Sequence, residues 1–399
     1  MRKKILWVCI ASFFLLVLNG CWSRKELNEM AFTVAMGFDK SDDHYMISIQ
    51  VVNPSGAASK KGGGNEAPIV TYSTEGTSVF EALRKTTTKS PRKLYLSHMR
   101  VIVISEEVAK EGIGKVLDFL SRDHDMRTDF FIVVTKDATA QEILKTLTLL
   151  EKVPANTMFA SLESSSKAWA VTGKVTLDNL ISDITNEGKE PVLTGIKLYG
   201  EKEIAGSKEN VERIDKTAFL RYEGLAALKK DKLIGWLNED ESKGYNYIQN
   251  KVKSTVGYVS CPDGGSVTLE VIHTKSKVKG KAEKGKPKVE IQLQLEANVG
   301  EVQSSIDLTN EKTIRDLEMR SAEKIKGFMT QVIRKAQKKY KTDILGFGNA
   351  IHRDNPKLWN KIKKDWDEEF VDMDVEVNVN VKIRGLGTIS NSFLESIKE

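Results

Sequence analysis

The segment that ends at Cys21 constrains this chain most. Arg2, Lys3 and Lys4 make a short basic start, and the run from Ile5 to Leu18 is apolar except for Ser12. A spanning helix needs ~20 apolar residues at a rise of 1.5 Å each, and this run is shorter. Asn19 and Gly20 follow, and Gly20 puts a small residue directly before Cys21. A positive start, a short apolar stretch and a small residue before the cut read as a secretory signal. The chain is therefore expected to fold and work outside the cytoplasm, with residues 1–20 removed.

Leu18-Asn19-Gly20-Cys21 resembles the lipobox of bacterial lipoproteins. The resemblance implies that the Cys21 sulfur takes a diacylglycerol, that the signal is cut before it, and that Cys21 becomes the mature N-terminus. An uncleaved N-terminal anchor and a plain secretory signal are the alternatives. The cysteines are Cys9, Cys21 and Cys261. Cys9 leaves with the signal and Cys21 carries lipid, so Cys261 has no intrachain partner. The fold must then be held by its hydrophobic core, and no disulfide, metal or cofactor is expected.

Removing Arg2, Lys3 and Lys4 from 61 basic residues leaves 58 against 55 acidic ones, a net charge of about +3. That near balance gives no case for a nucleic-acid partner. At ~100–200 residues per domain, the mature chain holds two or three domains. The apolar share of 40% and charged share of 29% suit a soluble body, and no later run approaches spanning length.

Patterns along the chain predict an α+β fold of mixed α/β character, multidomain, with mixed sheets packed against helices. The expected divisions are 1–20 as signal, 21–200 as an N-terminal α/β domain, 201–265 as a middle β-rich region, and 266–399 as a C-terminal α+β domain. Met30–Asp39 and Tyr45–Val52 read as a hairpin turning at Asp42-Asp43. Val101–Ile104 and Phe130–Val134 are apolar throughout and lie between helical patterns, as in a sheet covered on both faces. Ser105 is a good cap for a helix over Glu106–Ser121, and a second helix is expected over Thr139–Leu149. Pro154 interrupts the pattern, and Gly200–Asn210 is a candidate boundary. Val256–Cys261 pairs with Val267–His273, and lysine-rich Lys275–Lys288 reads as a loop. A long amphipathic helix is predicted over Asn310–Lys341. At the end, Val371, Met373, Val375, Val377, Val379, Val381 and Ile383 alternate with polar residues. That is a long strand with one buried and one wet face, expected as a central structural element of the C-terminal domain.

No chemistry stands out. His44, His98, His124, His273 and His352 are scattered and make no metal-ligand pair. Arg122-Asp123-His124-Asp125-Met126-Arg127 reads as a solvated charged turn. Gly280–Pro287 imitates a phosphate loop but ends in proline where Ser or Thr would hold Mg²⁺. Trp359, Trp366 and Phe370 read as core, Phe347 as a buried anchor at a tight turn, and Cys261 as a small buried hydrophobe.

Several segments nevertheless resemble a known family. Cys21-Trp22-Ser23-Arg24-Lys25-Glu26-Leu27-Asn28-Glu29 with Gly37-Phe38-Asp39 is similar to the mature start of the Ger(x)C family, with Ser23 where aspartate is common. Ser97–Ile104, Gly224-Leu225-Ala226, Asp231–Gly235 and Asp343–Gly348 with Pro356, Trp359, Trp366 and Phe370 agree as well. These proteins are the C subunits of spore germinant receptors. The resemblance implies a non-catalytic lipoprotein subunit, not an enzyme, on the outer face of the spore inner membrane. Its implied partners are the integral-membrane A and B subunits of a nutrient receptor, with the membrane reached through the lipid on Cys21. No cofactor or binding residue is implied beyond Cys21. A solute-binding lipoprotein and a cell-wall-modifying enzyme are the alternatives from other classes.

Overall fold

The N-terminal third begins as a meander because alternation and turn chemistry agree. β1 (Met30–Ser41) and β2 (His44–Val52) pair antiparallel around Asp42, whose φ of 50° makes the tight turn, and β3 (Ile69–Gly76) pairs with β2. The structure, a computed structural model, describes residues 29–54, 67–212, 215, 217–262 and 264–387, with positions 4, 5 and 7. Cys21 lies outside the described residues.

The short strand β4 (Lys93–Tyr95) lies parallel to the start of β1. β5 (Val101–Ile104) and β6 (Phe131–Thr135) are buried along their whole length. They continue the sheet in parallel from β1, and β7 (Val192–Gly200) follows β6 in parallel. β8 (Ala218–Lys229) and β9 (Lys232–Leu237) then run antiparallel. The result is a nine-stranded mixed sheet ordered β3-β2-β1-β5-β6-β7-β8-β9, with β4 beside β1.

Helices cover both faces of this sheet, which is why β5 and β6 carry no alternation. α1 (Val79–Lys85), α2 (Glu106–Glu111) and α3 (Gly114–Arg122) bury Val79, Leu83, Val108, Val116 and Leu120 on one face. α4 (Ala140–Lys145) and α5 (Pro154–Ala168) bury Ile143, Leu144, Met158 and Leu162 on the other. α6 (Leu177–Ile184) joins the first face, and α7 (Glu209–Glu212) is a single turn before β8. Ser105 caps α2 as expected, accepting from the Val108 N–H at 3.2 Å. The helix does not reach Ser121 unbroken, because Gly112 adopts φ 133° and the chain restarts at Gly114. That break meets the β8–β9 turn, where Asp231 accepts from the Ile113 N–H with its carbonyl at 2.9 Å and from the Gly114 N–H with its carboxylate at 3.1 Å. α4 carries a full Thr139–Glu142 capping box but stops at Lys145. Pro154 occupies the first turn of α5, where its missing N–H costs nothing.

The second sheet is ordered β10-β11-β12-β13. β10 (Thr255–Ser260) pairs antiparallel with β11 (Ser266–Glu283), and β11 with β12 (Lys286–Val302). The expected loop over Lys275–Lys288 is thus the outer arm of an 18-residue strand and its hairpin. Lys275, Lys277, Lys279 and Lys281 point to water at every second position, so the charge run hides a strand. Only Lys284-Gly285 turn, at φ of 51° and 82°. Residues 201–265, expected as a middle region, are shared between the sheets: β8 and β9 extend the large one, and β10 opens the small one.

α8 (Glu239–Ile248) and α9 (Glu311–Arg334) pack beside this sheet, with Leu317, Ile325, Met329 and Val332 buried at helical spacing. Beyond Arg334 the helix widens to π geometry over Lys335–Tyr340. α10 (Phe347–Asp354), α11 (Pro356–Ile362) and α12 (Trp366–Asp372) lead into β13 (Asp374–Gly385). One expectation needs correcting here. Val371 belongs to the last turn of α12, so the strand starts at Asp374. Among the described residues β13 is the last strand of its sheet and pairs with β12, in parallel. Its alternation survives there because α9 covers one face: Val377 and Val381 are buried while Asn378 and Asn380 are exposed. Trp359 on α11 and Trp366 on α12 bring their rings together edge-on at 5.3 Å.

Candidate functional site

A large cavity lies on the large sheet, between α1 and α3. Ser78 caps α1 by accepting from the Glu81 N–H at 3.2 Å, and Glu81 in turn accepts from the Thr77 N–H at 2.8 Å. Val79, Ala82 and Leu83 then face the sheet, which forces Phe80 outward, 52% exposed. Its ring stands 6.3 Å from that of Phe119 on α3, and the Arg84 guanidinium lies 5.0 Å from the Phe80 centroid. The groove measures about 960 Å³, with Leu83, Leu94 and Leu96 on its floor and Arg84, Lys93, Lys115 and His124 among its rim. An apolar floor with a charged rim is suited to holding a partner segment or surface. The Arg122–Arg127 turn forms one wall, beside Asp118. It stays solvated: Arg122 pairs with Asp118 at 2.8 Å, Arg127 with Asp129 at 2.9 Å, and the His124 side chain is 93% exposed.

A second cavity of about 350 Å³ lies between α8, α9 and the β10 end of the small sheet. Lys324 sits 3.5 Å from the Tyr258 centroid and Lys243 4.1 Å from that of Trp169, so two cations stack on its aromatic walls.

Two polar clusters brace the fold. Asp343 is 1% exposed and accepts from the backbone N–H groups of Leu345, Gly346, Phe347 and Gly348 at 2.8–3.1 Å. The Trp366 indole donates to the same carboxylate at 3.2 Å. Burial pushes its pKa up to about 6, against the pull of those donors, which favour the ionised form. On the large sheet, Glu223 accepts from Tyr199, from Arg221 at 2.6 Å and from Lys136 at 2.9 Å. These donors, Tyr199 first, bring its carboxyl down to about 2.

Cys21, the one site residue read from the sequence, lies outside the described residues. Cys261 is buried with a free thiol. Among the described residues no group of three or more His, Cys, Asp or Glu could hold a metal ion, and no helix is long and apolar enough to cross a membrane. The groove was not read from the sequence. Its signal was Phe80, off the apolar face set by Val79, Ala82, Leu83 and Thr86.

Comparison with known proteins places the chain. Residues 23–198 match the family model "Spore germination protein N-terminal domain", and residues 223–387 match "Spore germination B3/ GerAC like, C-terminal". The chain is similar to spore germination protein KC of Bacillus subtilis (strain 168), at 30% identity over 100% of both chains. It is also similar to spore germination protein GerQC of Bacillus cereus, at 22% identity over 97% of this chain and 99% of that one. The fold is shared with the crystal structure of the GerBC protein: TM-score 0.54 at 20% identity, covering 87% of this chain and 96% of that one. The chain belongs to the GerAC-like family of spore germination proteins, and its α+β, multidomain, mixed-sheet class is that of the family. Its function lies in spore germination.

Proposed function

We propose that the chain is the C subunit of a nutrient germinant receptor. It is a lipoprotein held through Cys21 to the outer face of the spore inner membrane, and it works by contact with the integral-membrane A and B subunits, without turnover. The observation that carries this reading is similarity over the whole length to spore germination protein KC, joined to a signal that closes on Gly20-Cys21. The site agrees with it. The groove around Phe80 offers apolar surface and charge, which suit contact with a partner. Spores lacking the gene are expected to lose their response to one set of nutrients. They should still germinate with agents that bypass the receptors. A normal response to every nutrient contradicts the reading.

One observation favours a second reading, a solute-binding lipoprotein: the 350 Å³ cavity walled by Trp169 and Tyr258 falls within the size range of small-ligand pockets. Calorimetry on the mature chain decides between them. The receptor-subunit reading expects weak or no binding of the nutrients, and tight saturable binding favours the solute-binding one. The similar proteins lend no support to a wall-modifying enzyme.

A further inference from the structure

The sequence between Glu81 and Glu106 holds six basic residues and no acidic one: Arg84, Lys85, Lys89, Arg92, Lys93 and Arg100. All six are exposed. The fold gathers the second half of this run at the end of the large sheet where β1 and β5 begin. Lys93 on β4 is in register with Met30 on β1, and Leu94 with Ala31. Arg100 donates its N–H to the Val34 carbonyl at 2.8 Å, directly before β5 begins. Between them, the rings of Tyr95 and His98 stand 5.9 and 5.5 Å from that of Phe32. The basic end is therefore the place where the chain enters its first strand.

That entry point is tied to the lipid. Cys21 precedes Glu29 by eight residues. A fully extended chain covers at most ~3.6 Å per residue, so the start of β1 stays within about 30 Å of the anchored sulfur. The run keeps a positive excess: Lys85 is paired with Glu81 at 2.7 Å, and in the neighbouring 122–129 turn Arg122 and Arg127 are matched with Asp118 and Asp129, so that Asp123 and Asp125 offset only part of the remaining charge. Cations within a Debye length of an anionic leaflet, ~8–10 Å, are each attracted by about fivefold in binding, the equivalent of ~1 kcal/mol.

We propose that the Lys89–Arg100 segment seats the folded body on the headgroups of anionic phospholipids, fixing its orientation beside the acyl anchor. The proposal rests on the lipid at Cys21. In this orientation the Lys93–Leu94 end of the Phe80 groove lies next to the membrane, where integral-membrane partners emerge.

The test uses the full lipidated chain in two kinds of vesicle, phosphatidylcholine alone and phosphatidylcholine mixed with phosphatidylglycerol. Lysine acetylation rates are read by mass spectrometry. Lys93 is expected to label roughly fivefold more slowly on the phosphatidylglycerol vesicles, with the difference removed by high salt. Lys277 and Lys284, on the β11–β12 arm, should label alike on both. Equal labelling of Lys93 on both, with an intact mass showing acylated Cys21, overturns the proposal. So does protection that appears only in spore membranes, which would assign the segment to a protein partner. An intact mass without the acyl group overturns the tether instead. Cosedimentation of the chain with phosphatidylglycerol vesicles then decides the headgroup contact: loss in the variant Lys89→Gln/Arg92→Gln/Lys93→Gln supports it, and no change overturns it.

Discussion

Asp343 shows how one residue can organise a whole region of the fold. Its carboxylate receives four backbone N–H groups and the Trp366 indole, so it fixes the turn into α10 and docks α12 in the same contact. These five hydrogen-bond partners are all donors. Asp343→Asn would turn an NH₂ group toward those donors, and leaving buried donors unmet costs ~1–3 kcal/mol each. A loss of about 3 kcal/mol is expected, read as a lower urea midpoint, with Asp365→Asn on the exposed side as an unaffected control. Glu223 gives a pH-dependent case. Its carboxyl is brought from 4.5 to about 2 in the folded chain, so the unfolded chain takes up the proton first as acid is added. The stability it contributes is present above pH 4.5 and is lost as pH falls toward 2. The gap in urea midpoint between wild type and Glu223→Gln should therefore narrow from pH 7 to pH 3. A constant gap would assign the effect to shape and not to charge.

At the scale of elements, the strongest patterns in the sequence were read where burial is one-sided. β13 and α9 each have a covered and a wet face, so alternation and helical spacing stand out at Val377, Val381, Ile325 and Met329. Val377→Asp places an unpaired carboxylate under α9 and is expected to cost several kcal/mol, comparable to a domain's ~5–15 kcal/mol margin. Asn380→Asp, on the wet side, should leave the urea midpoint within ~0.5 kcal/mol of wild type. Equal midpoints for the two would mean the register is wrong. What the sequence did not reveal has physical reasons. The place of β13 beside β12 rests on a partner distant in sequence. The β11 arm was hidden because Lys275 to Lys281 supply strand periodicity in charged residues. The α2–α3 break at Gly112 comes from Asp231, a contact with the β8–β9 turn that no local pattern announces. Phe80 was legible only as an apolar residue on the wrong face of its helix.

Across the whole molecule, one hydrophobic cluster joins the two sheets. Val192, Leu225 and Leu237 of the large sheet pack in the same cluster as Val271, Leu293 and Val377 of the small one. The Tyr340 hydroxyl, at the end of the π turn, donates to the Trp236 carbonyl of β9 at 2.8 Å. A body joined in this way suits a rigid platform beside a membrane. Its attachment is tested by Cys21→Ala, which should abolish metabolic lipid labelling and release the chain into the soluble fraction; labelling at the wild-type level would remove the anchor from the account. The central claim is that the protein acts through membrane partners. The most direct measurement is to isolate a tagged chain from spore inner membranes and identify by mass spectrometry what accompanies it. The account expects the two integral-membrane receptor subunits in comparable amounts. Recovery of the chain without either of them would contradict it.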